Sequence, residues 1–148
     1  MGNSDMALKA HLMRRAGFGA TRGELEELAE KSYEDIVEDL LHPERIDDLN
    51  EDYIKRFNPE VSYHDSHPAH AGKWLWRMIN SGKPLEEKMA LFWHQVFPSA
   101  YYKSEHPPTL IANIDTYREN GLTNIKKILL DLAKDPSMNY WLDNCENH

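Results

Sequence analysis

The chain of 148 residues contains one cysteine, Cys145, which excludes an intrachain disulfide and a four-cysteine zinc module. Valine is scarce, occurring only at Val37, Val61 and Val96, and no run alternates apolar with polar residues over the length of a strand, so a β fold is disfavoured. Long apolar runs are missing too: mean hydropathy is −0.71, and the opening MGNSDMALKAHLMRR lacks the apolar centre of an export signal. Met6 stands where a myristoylation motif requires Ser or Thr. Positive charge is in the minority, with Lys plus Arg at 17 against Asp plus Glu at 25 and a formal net charge of −8, which disfavours a surface built to neutralise nucleic-acid phosphates. No serine-centred elbow, phosphate-cradling glycine loop, His-Glu-x-x-His or EF-hand loop is present. These absences predict a soluble protein without nucleic-acid or membrane partners, and they name no reaction.

What is present is helical spacing. A chain of this length fits one compact domain. A first helix is expected from Asp5 to Ala16, ended by Gly17 or Gly19. Thr21 with Glu24 forms a capping box for a second, and Ser32 with Asp35 opens a third that carries Ile36, Val37, Leu40 and Leu41 before Pro43. The acidic stretch from Glu44 to Pro59 holds a short helix around Tyr53 to Phe57, and Glu60 to His67 reads as a loop. Pro68 and Pro84 each suit a first helical position. The first of these helices presents Ala71, Trp74, Leu75, Met78 and Ile79, and the second Leu85, Met89, Phe92 and Val96. After a loop containing Tyr101 and Tyr102, a helix through Leu110, Ile111, Ile114 and Tyr117 is capped by Gly121. Thr123 caps the next, with Ile125, Ile128, Leu129 and Leu132 on its face, and Asp135-Pro136 opens the last. The expectation is an all-α orthogonal bundle of roughly seven or eight short helices in a single domain.

Three clusters could carry chemistry. His64, His67 and His70 could offer nitrogen ligands to a divalent metal such as zinc or nickel. On a continuous helix, however, the outer two diverge by roughly 120°, and a solvated loop is the plainer reading. On the long helix PLEEKMALFWHQVF, Glu87 and His94 fall on one flank two turns apart, where a carboxylate could fix the imidazole tautomer and raise its basicity. Glu86 falls on the apolar side beside Trp93 and Phe97 and needs a partner such as Lys73, Arg77 or an arginine of the first helix. At the C-terminus, Asp143, Asn144, Cys145, Asn147 and His148 bunch together, with Cys-x-x-His amounting to half a zinc site.

Three blocks in register, HLMRRAGFGAT from His11, PLEEKMALFWHQVF from Pro84 and KDPSMNYWLDNCEN from Lys134, resemble the bacterial domain-of-unknown-function 1800 family over nearly the whole chain. The resemblance implies the N-terminal third of a protein several hundred residues long, and no established reaction comes with it. The ending WLDNCENH agrees with a fragment of a longer chain. Glu87, Lys88, Trp93, His94 and Phe97 occupy the family's helix motif, and Asp143, Asn144 and Asn147 its second motif. Many relatives carry a second histidine where this chain has Val96, which leaves a two-histidine metal site on this helix short of a ligand. Two functional expectations follow. One is a hydrolase-like enzyme using Glu87, His94 and Asp143 with groups supplied downstream in the same protein. The other is a non-catalytic helical scaffold presenting an acidic, aromatic-edged surface to a protein partner; a metal site at the histidine loop is a weaker third.

Overall fold

The computed structural model describes residues 3–63 and 65–146. His64, expected above as a metal ligand, and Asn147 and His148 of the C-terminal cluster lie outside the described residues. Ten α-helices follow one another without a strand among the described residues: α1 (Asn3–Ala16), α2 (Arg22–Leu28), α3 (Tyr33–Leu41), α4 (Asp52–Phe57), α5 (His67–Asn80), α6 (Pro84–Val96), α7 (Tyr101–Ser104), α8 (Pro107–Asn120), α9 (Ile125–Leu132) and α10 (Pro136–Trp141). Seven of them have seven residues or more. The count exceeds the expected seven or eight through three helices of six residues or fewer, α4, α7 and α10, of which α7 occupies four residues of an expected loop. The stretch read as the long loop begins with a 3-10 turn, Pro59–Ser62, that buries Val61.

Local chemistry sets most of the boundaries. Thr21 and Glu24 form the reciprocal capping box at α2, Ser32 accepts from the Asp35 amide at α3, and Asp135 accepts from the Met138 amide at α10. Two caps differ from the expectation. Asn124, not Thr123, caps α9 by accepting from the Lys127 amide at 3.0 Å, while the Thr123 hydroxyl turns back to the Asn120 carbonyl. Gly121 does not adopt a left-handed cap; its φ is −61°. It is required by close approach, since a Cβ there would lie 3.1 Å from Met89 Cβ and 3.3 Å from Trp93 Cδ1 on α6.

The core sits where α6 and α8 meet α9 and α10. Ala90, Tyr117, Ile128, Leu132 and Met138 form it, flanked by Trp74, Trp93 and Phe97. The Tyr117 hydroxyl donates to the Phe97 carbonyl at 2.7 Å, and the indole of the partly buried Trp93 donates to the Gly121 carbonyl at 2.9 Å, so the polar ends of both aromatics are satisfied. Burial pushes the Tyr117 hydroxyl up to about 12.

The buried face of α6 is not the expected one. Glu87 and Ala90 are buried, whereas Phe92 and Val96, read as core, are each 47% exposed. The helix is turned so that Glu87, Ala90 and His94 face α5 and α8, because those two helices, rather than the apolar stripe, decide which side is enclosed. Away from this core, α2 buries no residue. It is held to α1 by Lys9, which is 3% exposed and donates to the carbonyls of Ala29 and Lys31 at 3.3 and 2.8 Å. Asp5 balances its charge at 3.0 Å.

Candidate functional site

The densest polar cluster lies between α5, α6 and α8, and Glu87 is its centre. Its side chain is fully buried, and four N–H groups reach it: Trp74 Nε1 at 3.1 Å, Arg77 Nε at 2.9 Å, and Arg118 Nε and Nη2 at 2.8 and 3.3 Å. Trp74 and Arg77 are three apart on α5 and therefore share a face, while Arg118 crosses from α8. The network runs outward from there. Arg77 Nη1 donates to Glu51 at 2.8 Å, Lys73 donates to the other Glu51 oxygen at 2.6 Å, and Arg118 Nη1 pairs with Asp115. Burial raises the Glu87 carboxyl, but the hydrogen bonds and charges of Arg118 and Arg77 outweigh it and hold the group below the usual carboxylate range. Glu51 is likewise lowered, as Lys73 and Arg77 overcome its burial. A cleft of about 200 Å³ opens beside the network, lined in part by His70, Lys73, Arg77 and Arg118.

His94 lies in an aromatic setting next to this cluster. Its ring packs in a T-shape with Trp74, centroids 5.4 Å apart, and tilts against Tyr117 with centroids 6.3 Å apart, and its buried Nδ1 has no hydrogen-bond partner among the described residues. Burial lowers its pKa from the ordinary value. Trp74 thus connects Glu87 and His94, donating its N–H to one and presenting its ring to the other. No hydrogen bond joins the two directly among the described residues: Glu87 is occupied by Trp74, Arg77 and Arg118.

Asp143 belongs to a different cluster. It adopts a positive φ of 58° after α10, is 66% exposed at its side chain, and pairs with Lys103 of α7 at 2.7 Å. Lys103 also donates to the Trp141 carbonyl at 2.7 Å. Of the three residues expected to act in catalysis, two therefore share a neighbour and the third is engaged elsewhere.

The two described histidines of the expected metal loop are also engaged separately. His67 stacks on Tyr101 with ring centroids 4.4 Å apart, and His70 Nε2 lies 3.0 Å from the Tyr63 carbonyl. No group of three His, Cys, Asp or Glu among the described residues is placed to hold a metal ion.

The structure also reverses the expected roles of two neighbouring carboxylates. Glu86, read as the one needing a cationic partner, makes no side-chain hydrogen bond among the described residues, and burial raises its pKa. Of the partners expected for it, Arg77 serves Glu87 and Lys73 serves Glu51 instead. Arg118 carried no sequence signal for this role beyond its position three after Asp115, because its partner is 31 residues away.

A family model described as "Protein of unknown function (DUF1800)" matches residues 11–148. No curated protein and no solved structure matches the chain.

Proposed function

The chain belongs to the DUF1800 family of proteins of unknown function, and from that premise we propose that it is a helical interaction module whose outer faces pack against further protein. One observation carries this reading. Three helices each present a second apolar pair at one-turn spacing that the bundle leaves uncovered: Leu75 and Ile79 on α5, Phe92 and Val96 on α6, and Ile125 and Leu129 on α9. Apolar side chains at such spacing form a stripe suited to another helix. The accessible surface supports the same reading: it is 9690 Å², about a quarter more than the roughly 7,800 Å² expected of a compact monomer of this mass. Extended apolar surface of this kind marks contact sites. Glu87 fits the module as a structural anchor, since a fully buried carboxylate held by two arginines has neither access to a substrate nor a free lone pair suited to proton transfer.

The test is to replace Ile125 and Leu129 together with Ser and follow an apolar fluorescent dye. The folded wild-type chain is expected to bind the dye, and the variant to bind less of it with a midpoint within a few degrees. A folded wild-type chain that binds none would overturn the reading.

A hydrolytic site is the second reading, and the unpartnered Nδ1 of His94 favours it. A group supplied by further chain could complete an acid or base there. Turnover of a chromogenic ester, phosphoester or glycoside that is lost in His94→Ala while the fold is kept would establish it in place of the module.

A further inference from the structure

Negative charge is concentrated in one part of the chain. Residues 22–52 contain 13 Asp or Glu against three Lys or Arg, a net −10, while the rest has 12 against 14 and is +2. This acidic segment forms one side of a groove of about 710 Å³, whose other side is the end of α5 and the turn into α6. The interior of the groove is apolar, with Met13, Leu28, Ile36, Leu40 and Met78 lining it. Phe18 and Ile79 line it as well, yet are 42% and 78% exposed. Leu75, one turn before Ile79, is 60% exposed and continues the apolar surface along α5 beyond the concavity.

The cations of the groove are already neutralised. Lys31 pairs with Asp39 at 2.6 Å and Lys83 with Asp48 at 2.5 Å. Glu27 in the groove wall has no ion-pair partner among the described residues, and neither do Glu30 and Glu34, which are close to the lining residues Lys31 and Ile36 in the chain. An apolar channel with a surplus of carboxylates along one bank complements an apolar stripe flanked by cations.

We propose that this groove docks an amphipathic helix with Lys and Arg beside its apolar stripe, supplied by a protein partner. The proposal rests on the interaction-module reading and names the partner's chemistry. A compact small molecule seated in the groove would leave Leu75 uncovered, whereas a helix places anchors at i, i+3 or i+4, and i+7 along such a strip. The unbranched side chains of Met13 and Met78 adapt to different anchors. A second copy of this chain fits poorly, because it would bring its own net charge of −8 toward a bank of the same sign.

The experiment uses the full chain and a fluorescent helical peptide of Leu and Lys about five turns long, with a Leu and Glu counterpart as control. The Lys peptide is expected to bind with a dissociation constant on the order of micromolar and the Glu peptide at least about tenfold more weakly. Ile79→Asp, and Glu27→Lys with Glu30→Lys, are each expected to weaken the Lys peptide by about tenfold or more. Leu130→Asp, on the exposed side of α9, is expected to leave binding unchanged. All of these positions are exposed, so the thermal midpoint serves as the check that each variant folds. Equal binding of the two peptides, no binding of the Lys peptide, or indifference to the groove substitutions would each overturn the proposal. Binding lost only in Leu130→Asp would sink the groove while leaving an interaction module standing; a folded chain that binds neither peptide nor apolar dye would sink both.

Discussion

Helices α6 and α8 pack through Ala90 and Tyr117, both wholly buried, and are joined across their interface by Glu87 and Arg118. Helix α2, by contrast, buries no residue and is secured by its capping box and by the two carbonyls that Lys9 holds near its end. One region is held by enclosed surface and a desolvated ion network, the other by local polar contacts around an open groove. The difference predicts separate behaviour: the first region should unfold with the bundle as a whole, while the second, where Phe18, Leu75 and Ile79 stay exposed, should open locally.

Removing the centre of the buried network should have the largest effect. Glu87→Ala leaves Arg77 and Arg118 with only their outer partners, Glu51 and Asp115, and is expected to cost about 3–5 kcal/mol, lowering the midpoint by roughly 10 °C; a shift of only a degree or two would show that the network is not a keystone. Tyr117→Phe removes a bond to the Phe97 carbonyl at 2.7 Å and should cost about 1–2 kcal/mol, measured by urea unfolding with an unchanged slope. Lys9→Met tests the other side of the comparison. It should cost about 1 kcal/mol, and hydrogen exchange should accelerate in α2 well before it does in α8. Equal acceleration in both helices would mean that the two regions form one cooperative unit.

The smallest effect is expected from pH. The folded-state pKa of His94 lies below its ordinary 6.5 because burial disfavours the imidazolium. Its contribution is therefore intact above about 6.5 and is withdrawn as pH falls toward the folded value, since the unfolded chain takes up the proton first. Glu87 acts in the same direction at lower pH: its lowered pKa makes its contribution complete above the ordinary carboxylate range and lost as pH falls through the folded value. Between about pH 7 and pH 5 the midpoint should decline, and His94→Gln should flatten that decline. An identical slope in the variant would remove His94 from the account.

Much of the fold could be read from short stretches of sequence. Thr21 with Glu24, Ser32 with Asp35, and Asp135 before Pro136 marked helix starts where the structure has them, and α6 runs between the prolines that bounded it. Helix α7 could not be read, because its four residues are supported by partners far along the chain: Tyr102 lies against Trp141 with ring centroids 5.4 Å apart and Lys103 pairs with Asp143. The candidate site was legible in part. Glu87 and His94 were placed on one flank of α6, but Trp74, which connects them, comes from α5. The phase of burial was read from apolar residues alone, which put Glu86 inward and Phe92 and Val96 in the core, whereas the structure encloses Glu87 and leaves both apolar residues half exposed.

The sequence by itself determined the all-helical class, most of the helix starts, and the charge asymmetry between residues 22–52 and the remainder. Each depends on composition or on hydrogen bonds within about four residues, which form whatever the helix later packs against. Only the tertiary structure decided which face of α6 is enclosed, that Arg77 and Arg118 meet Glu87 rather than Glu86, and that the apolar stripes on α5, α6 and α9 stay exposed. Those outcomes depend on which helices surround a given face, and a buried charge is tolerated only where cations from separate elements converge on it.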